Sequence, residues 1–242
     1  MGCGLHTNDM TNGVSGRSRR LITLIASLIG LVIVILAAAP PVIENVQKTE
    51  TPPTVMMPLG SAGAALETLA VKGRAPKTDY SRSQFGNGWA TTSGCDTRNI
   101  ILYRDLQNPV VGDDCAVQTG TLNDPYTGTV IAFIRGESDI QIDHVIALSN
   151  AWQTGAQNVT RDQRIQLAND PLELIAVQGD ANQQKSDADA ATWLPSNKSF
   201  RCQYIARQIA VKQKYSLWVT EPEKQAMLKV LSACPDQALP SR

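Results

Sequence analysis

The chain has 242 residues with 22 basic and 22 acidic side chains, so a net charge of zero excludes an arm that holds nucleic acid by bulk attraction. At 43% hydrophobic and 18% charged residues it is a foldable globular chain, one domain of ordinary size with a tail. Only His6 and His144 carry imidazoles, which excludes a zinc site built from several histidines, and an aromatic content of 5% does not favour a platform for stacking bases.

Residues 1–20 are a basic N-terminus ending in Arg17, Arg19 and Arg20, and Leu21 to Ala39 follow with no charge. A helix over that run is about 28 Å long, close to the hydrocarbon core of a bilayer, so its length favours a membrane anchor over a cleaved signal. The Ala37-Ala38-Ala39 end resembles a cleavage site, but Pro40 follows it directly. The arginines place the N-terminus inside and the rest outside the cytoplasm, whether the domain is anchored or secreted. Residues 40–79 read as a Pro/Thr/Ala-rich linker with a short helix over Ala62 to Val71, residues 80–234 as the working domain and 235–242 as a tail.

Within the domain, Asn99 to Leu106 fits a strand or a helix start, and Thr129 to Ile134 a strand after the turn Asn123 to Gly128. Asp139 to Val145 and Leu172 to Val177 read as strands. Helices are expected over Ala181 to Ala191, Phe200 to Tyr215 and Glu221 to Ser232, the last capped by Thr220. Outside the cytoplasm Cys95, Cys115, Cys202 and Cys234 allow three pairings, of which 95–115 and 202–234 close the shortest loops.

His144 is then the only imidazole available outside the cell, and the chain has no G-x-S-x-G elbow to support a serine hydrolase. Asp143 and His144 on a regular strand point to opposite faces, so the strand must end or bend there for both to act on one substrate. A carboxylate and an amide oxygen suit a hard divalent ion, Mg²⁺ or alternatively Mn²⁺, while an imidazole takes a proton from the attacking water. Asn182 is the candidate second ligand; taken alone it is a helix cap. Lys185, one turn on, is either a phosphate contact or a solvated helix face. Arg98 and Arg135 are candidate phosphate clamps or structural ion pairs. Lys198, Arg201, Arg207, Lys212 and Lys214 form an acid-free stretch that offers a local positive surface. The four tryptophans, Trp89, Trp152, Trp193 and Trp218, are most simply core.

Asp143-His144-Val145, the strand Leu172 to Val177 and Asn182-Gln183-Gln184-Lys185-Ser186-Asp187 together resemble the ββα-metal motif of HNH nucleases. Residues 80–234 resemble secreted or membrane-tethered actinobacterial HNH endonuclease family proteins, related in motif to the nuclease domain of GmrSD-type restriction enzymes. Supporting runs include Gly94 to Asn99, Asp124 to Gly128, Asp189 to Pro195 and Arg207 to Lys212. The resemblance implies an α+β fold with a ββα-metal core, additional helices and two disulfides. It implies His144 as general base, Asp143 and Asn182 as ligands of a divalent metal, and a phosphodiester of DNA, with RNA as the alternative, as substrate. One departure is Glu173, where such motifs usually carry Asn; an ionised Glu only accepts hydrogen bonds. A non-catalytic wall or DNA-binding module on the same fold, or a hydrolase of another phosphodiester, are the competing readings. Nothing in the sequence points to a protein partner.

Overall fold

The computed structural model describes residues 1–2 and 60–240, so Cys3 and the apolar run 21–39 lie outside the described residues. Among the described residues no helix is long and apolar enough to cross a membrane. Residues 60–79, expected as linker, are instead part of the folded unit. Ser61 accepts a hydrogen bond from the Ala64 N–H at 3.2 Å and caps helix α1 (Ala62–Glu67). Ala62 and Leu66 are fully buried. The expected tail is folded in as well, since Ala62 N–H donates to the Gln237 carbonyl at 2.7 Å and Ser61 bridges Ala238. Small side chains give this segment the composition of a linker, and the same small side chains let its backbone approach the core closely.

Strands β1 (Thr91–Thr92) and β2 (Cys95–Asp96) form a short hairpin that leads into helix α2 (Thr97–Asp105), capped by the Asp96 carboxylate. This settles the ambiguous stretch after Asn99 as helix. Strands β3 (Gln107–Val111), β4 (Val117–Asn123) and β5 (Val130–Ile134) make an antiparallel meander, and the Cys95–Cys115 disulfide ties it to the hairpin. Strands β3 and β4 were not expected. Their period is hidden because Val110 and Val111 face solvent and Gly120 sits mid-strand against Leu106. Ile101, Leu102 and Leu106 pack with Val117, Leu122 and Phe133 into one core that also takes Ile140, Ile142, Leu174 and Ala176.

The last four of those belong to strands β6 (Ile140–His144) and β7 (Leu174–Gln178), which pair antiparallel with Ile142 opposite Ala176 and His144 opposite Leu174. Between them lie two further helices missing from the expectations, α3 (Leu148–Gln153) and α4 (Arg161–Ala168). Helix α3 shows no amphipathic period because Leu148 to Trp152 are all buried. Helix α5 (Gly179–Lys185) follows β7 directly and stops at Ser186, whose φ of 51° ends it earlier than expected. Helices α6 (Arg201–Lys214) and α7 (Glu221–Leu231) close the second core, and the Cys202–Cys234 disulfide staples them. Both disulfides are the neighbour pairings, each stabilising by about 3 kcal/mol in the loop-entropy picture. Thr220 and Glu223 form the capping box expected at the start of α7. The result is a mixed α/β domain with two disulfides.

Candidate functional site

Strand β6 ends at His144, as simultaneous use of Asp143 and His144 demands. Pleating sends Ile140 and Ile142 to one face, toward α2, and Gln141 and Asp143 to the other, while His144, at the strand end, turns its ring to Ala168 and Trp89. Helix α5 lies across that second face. Its one-turn spacing sets Asn182 above Gln141, with the Asn182 amide donating to Gln141 Oε1 at 3.0 Å, and Lys185 above Asp143. Lys185 Nζ lies 3.0 Å from the Asp143 carboxylate and donates to the His144 carbonyl at 2.9 Å. The Asp143 carboxylate also accepts from the Tyr126 hydroxyl at 2.5 Å. Tyr126 is delivered by the Asp124 to Gly128 turn, where the buried Asp124 carboxylate accepts from Thr127 N–H and from Gln178 N–H at the end of β7.

The backbone just after His144 is fastened from three directions. Val145 N–H donates to the Glu173 carbonyl at 2.9 Å, and the Val145 carbonyl accepts from the buried Gln208 amide of α6 at 2.8 Å. Ile146 N–H donates to the Glu173 carboxyl at 3.1 Å. Glu173 is fully buried, and burial raises its carboxyl well above the usual range. Glu173 ties the second strand to the loop after His144 by accepting from Ile146 N–H with its carboxyl oxygens. Asn169 takes no part in that tether, and its side-chain oxygen accepts instead from Ala90 N–H at 2.8 Å.

Asp143, His144 and Asn182 all line one polar cleft of about 540 Å³, with Ser149 and Asp187 at its far side. Three expected phosphate contacts do not reach it. Lys185 is fully buried and its ammonium is held by Asp143 and His144, which makes it a positioning residue. The Arg98 guanidinium donates to the Ile140 carbonyl, and that of Arg135 to the Val117 carbonyl and Asn99 side chain; both brace the β-sheet side of the domain. Two members of the basic stretch are structural as well. Lys212 is buried against Glu223 at 3.1 Å and Lys214 pairs with Asp170 at 2.5 Å. The cations that do line the cleft are Lys77 and Arg82. Lys77 pairs with Asp187 at 3.2 Å, whereas Arg82 is exposed and has no hydrogen bond or ion pair among the described residues. Nothing in the sequence singled out Arg82, since its nearness to His144 depends on a contact across some 60 residues of chain.

Residues 98–230 match the family described as GmrSD restriction endonucleases, C-terminal domain. The chain belongs to that family. An uncharacterized secreted protein of Arthroderma benhamiae is 40% identical over 187 residues, spanning 76% of this chain and 89% of the relative. No solved structure matches. The matched region of the GmrSD C-terminal family begins inside α2 and ends in α7, so it contains the whole β6–β7–α5 unit and excludes Arg82.

In this GmrSD-family domain His144 is 6% exposed, and its Nε2 sits 3.0 Å from the Ala168 carbonyl. A carbonyl only accepts, so Nε2 carries the proton and Nδ1 keeps its lone pair. Burial lowers the imidazole to about 3, with the Arg82 and Lys185 charges acting in the same direction and the Ala168 hydrogen bond against it. The ring is therefore neutral, the state in which it accepts a proton. Among the described residues no three His, Cys, Asp or Glu side chains converge as a metal cage. The oxygen donors at the cleft are instead the Asp143 carboxylate and the Asn182 amide oxygen, whose nitrogen is engaged by Gln141, while the second carboxylate there, Asp187, is paired with Lys77. That set fits a hard ion that keeps most of its waters, as Mg²⁺ does, and not zinc.

Proposed function

We propose that this domain is an extracytoplasmic, metal-dependent endonuclease of the HNH type, with β6, β7 and α5 as its ββα-metal core. The observation that carries the reading is the convergence of His144, Asp143 and Asn182 on one cleft that also holds the unpaired cation Arg82. Membership of a restriction-endonuclease family and a secreted relative support it. His144 Nδ1 accepts the proton of the attacking water, and Ala168 holds the ring in the tautomer that allows this. A phosphate in the cleft opposes the charges of Arg82 and Lys185 and so strengthens His144 as a base. Arg82 draws the phosphate in and stabilises the charge that grows on it. Lys185 and Tyr126 hold the Asp143 carboxylate in place, and its Oδ1, which meets Lys185 alone, retains a lone pair. Asp143 and Asn182 are the residues that would hold a divalent ion such as Mg²⁺, which would supply Lewis-acid chemistry at the phosphate. Glu173, the residue that argued for a non-catalytic module, supports the loop after His144 and leaves the site complete.

The test is incubation of the full chain with plasmid, linear DNA and RNA, with and without chelator. His144→Ala should lower metal-dependent cleavage by at least about 100-fold. Cleavage by this variant at the parent rate overturns the mechanism. Asn182→Ala should weaken metal dependence and be partly rescued by high Mg²⁺ or Mn²⁺; an unchanged metal response makes it a residue of helix α5 only.

A further inference from the structure

On the other side of His144 the polar cleft adjoins a second cavity of about 220 Å³, walled by Phe85, Gly88, Trp89 and Leu148. Arg82, His144 and Leu148 line both spaces, so the two are contiguous through the candidate base. One side is polar and cationic, the other flat and apolar, and a nucleotide has the same two ends. Trp89 is unlike the other three tryptophans. The indole N–H groups of Trp152, Trp193 and Trp218 donate to Thr78, Gln184 and Gly73, at 3.1, 3.2 and 3.0 Å. That of Trp89 has no acceptor among the described residues, and its ring, partly buried against the core that holds Ile101 and Phe133, lies within 10° of parallel to His144 at 5.9 Å. Its place is nonetheless fixed, because the neighbouring Ala90 N–H is bonded to Asn169 and Arg164 holds Gln84 on the preceding turn. Gly88, at φ +134°, presents no side chain there, and a Cβ added to it would meet nothing within 4 Å.

We propose that this cavity is a nucleobase subsite, in which a base next to the scissile phosphate leaves its stack and lies on Trp89. The proposal rests on the nuclease reading of the site and specifies its substrate class as single-stranded or locally unpaired nucleic acid. A paired base stays within its duplex and must be unstacked and unpaired before it enters, which slows cutting of intact duplex. Stacking on an aromatic ring accepts any base, so the subsite selects strandedness and not sequence. The sparse aromatic content of the chain is thus no obstacle, since one ring beside the catalytic histidine is sufficient.

An end-labelled single-stranded oligonucleotide carrying one abasic residue tests this with the full chain and Mg²⁺. Cutting at the phosphate adjoining the abasic residue should fall about tenfold against the same phosphate in the intact oligonucleotide, with distant phosphates unaffected. Trp89→Ala should remove that discrimination and Trp89→Phe retain it. Equal cutting at the abasic position, with the rest of the strand cut normally, overturns the subsite and leaves the nuclease reading standing. Absence of cutting at every phosphate overturns the nuclease reading. The subsite is then decided by binding, through quenching of indole fluorescence by the intact oligonucleotide in the parent and its loss in Trp89→Ala. No difference between those two proteins overturns it.

Discussion

The two walls around His144 are built on opposite plans. On the strand side the backbone polar groups from His144 to Ile146 are taken up by Lys185, Glu173 and Gln208, all essentially inaccessible to water. On the facing side, residues 82–89 carry an exposed arginine with no partner among the described residues, two glycines at positive φ and a partly buried tryptophan. The first wall holds His144 in register, and its side chains are expensive to change. The second anchors Phe85 and part of the Trp89 ring in the core, whereas Arg82, exposed on it, has little to do with whether the protein folds. Stability and activity should therefore separate cleanly between them.

Lys185→Met is the most damaging substitution expected, because it leaves the Asp143 carboxylate buried without its counter-charge. Breaking such a pair costs about 3–5 kcal/mol, or roughly 10 °C in melting temperature for a domain of this size. A melt within about 2 °C of the parent would show that the strand-side wall is not held in the way described.

Arg82→Ala should do the reverse. A melt within about 0.5 kcal/mol of the parent should accompany a loss of cleavage of about 10- to 100-fold, the worth of a charged hydrogen bond to phosphate. Equal activity in the variant would remove Arg82 from the site.

The smallest effect concerns Glu173→Gln, which keeps the acceptor for Ile146 N–H. In the parent the folded carboxyl is raised above its unfolded value, so folding takes up a proton in the window between the two. Stability is then fully present below the unfolded value and declines as pH rises through the folded one. Gln has no proton to gain, so the variant should melt about 2–4 °C higher at pH 8 and match the parent near pH 4. An advantage that stays constant across this range would show that Glu173 is ionised in the fold.

Much of the strand-side wall was legible in the sequence. Asp143-His144 at a strand end, the strand carrying Leu174, and Asn182 and Lys185 one turn apart are short-range patterns, and local period and spacing are what a sequence displays. The disulfides followed from loop length. The role of Lys185 was not legible, because burial of an ammonium depends on what folds over it, here helix α5 against β6. Arg82 and Trp89 lie on an irregular segment with no period, placed by Arg164 and Asn169 of the α4 region, a helix itself too short to display one. The linker expectation fails for a related reason: composition describes a segment in isolation, and α1 is ordered by the tail it meets.

That meeting has a topological consequence. Since Ser61 and Ala238 are backbone neighbours, the two ends of the folded domain meet at one spot. A short splice joining these two positions would preserve the bridge, and new ends could be opened at the exposed Gly136 turn between β5 and β6. The domain is thus portable: it can be inserted as a cassette into a loop of a host protein, both junctions sharing one doorway.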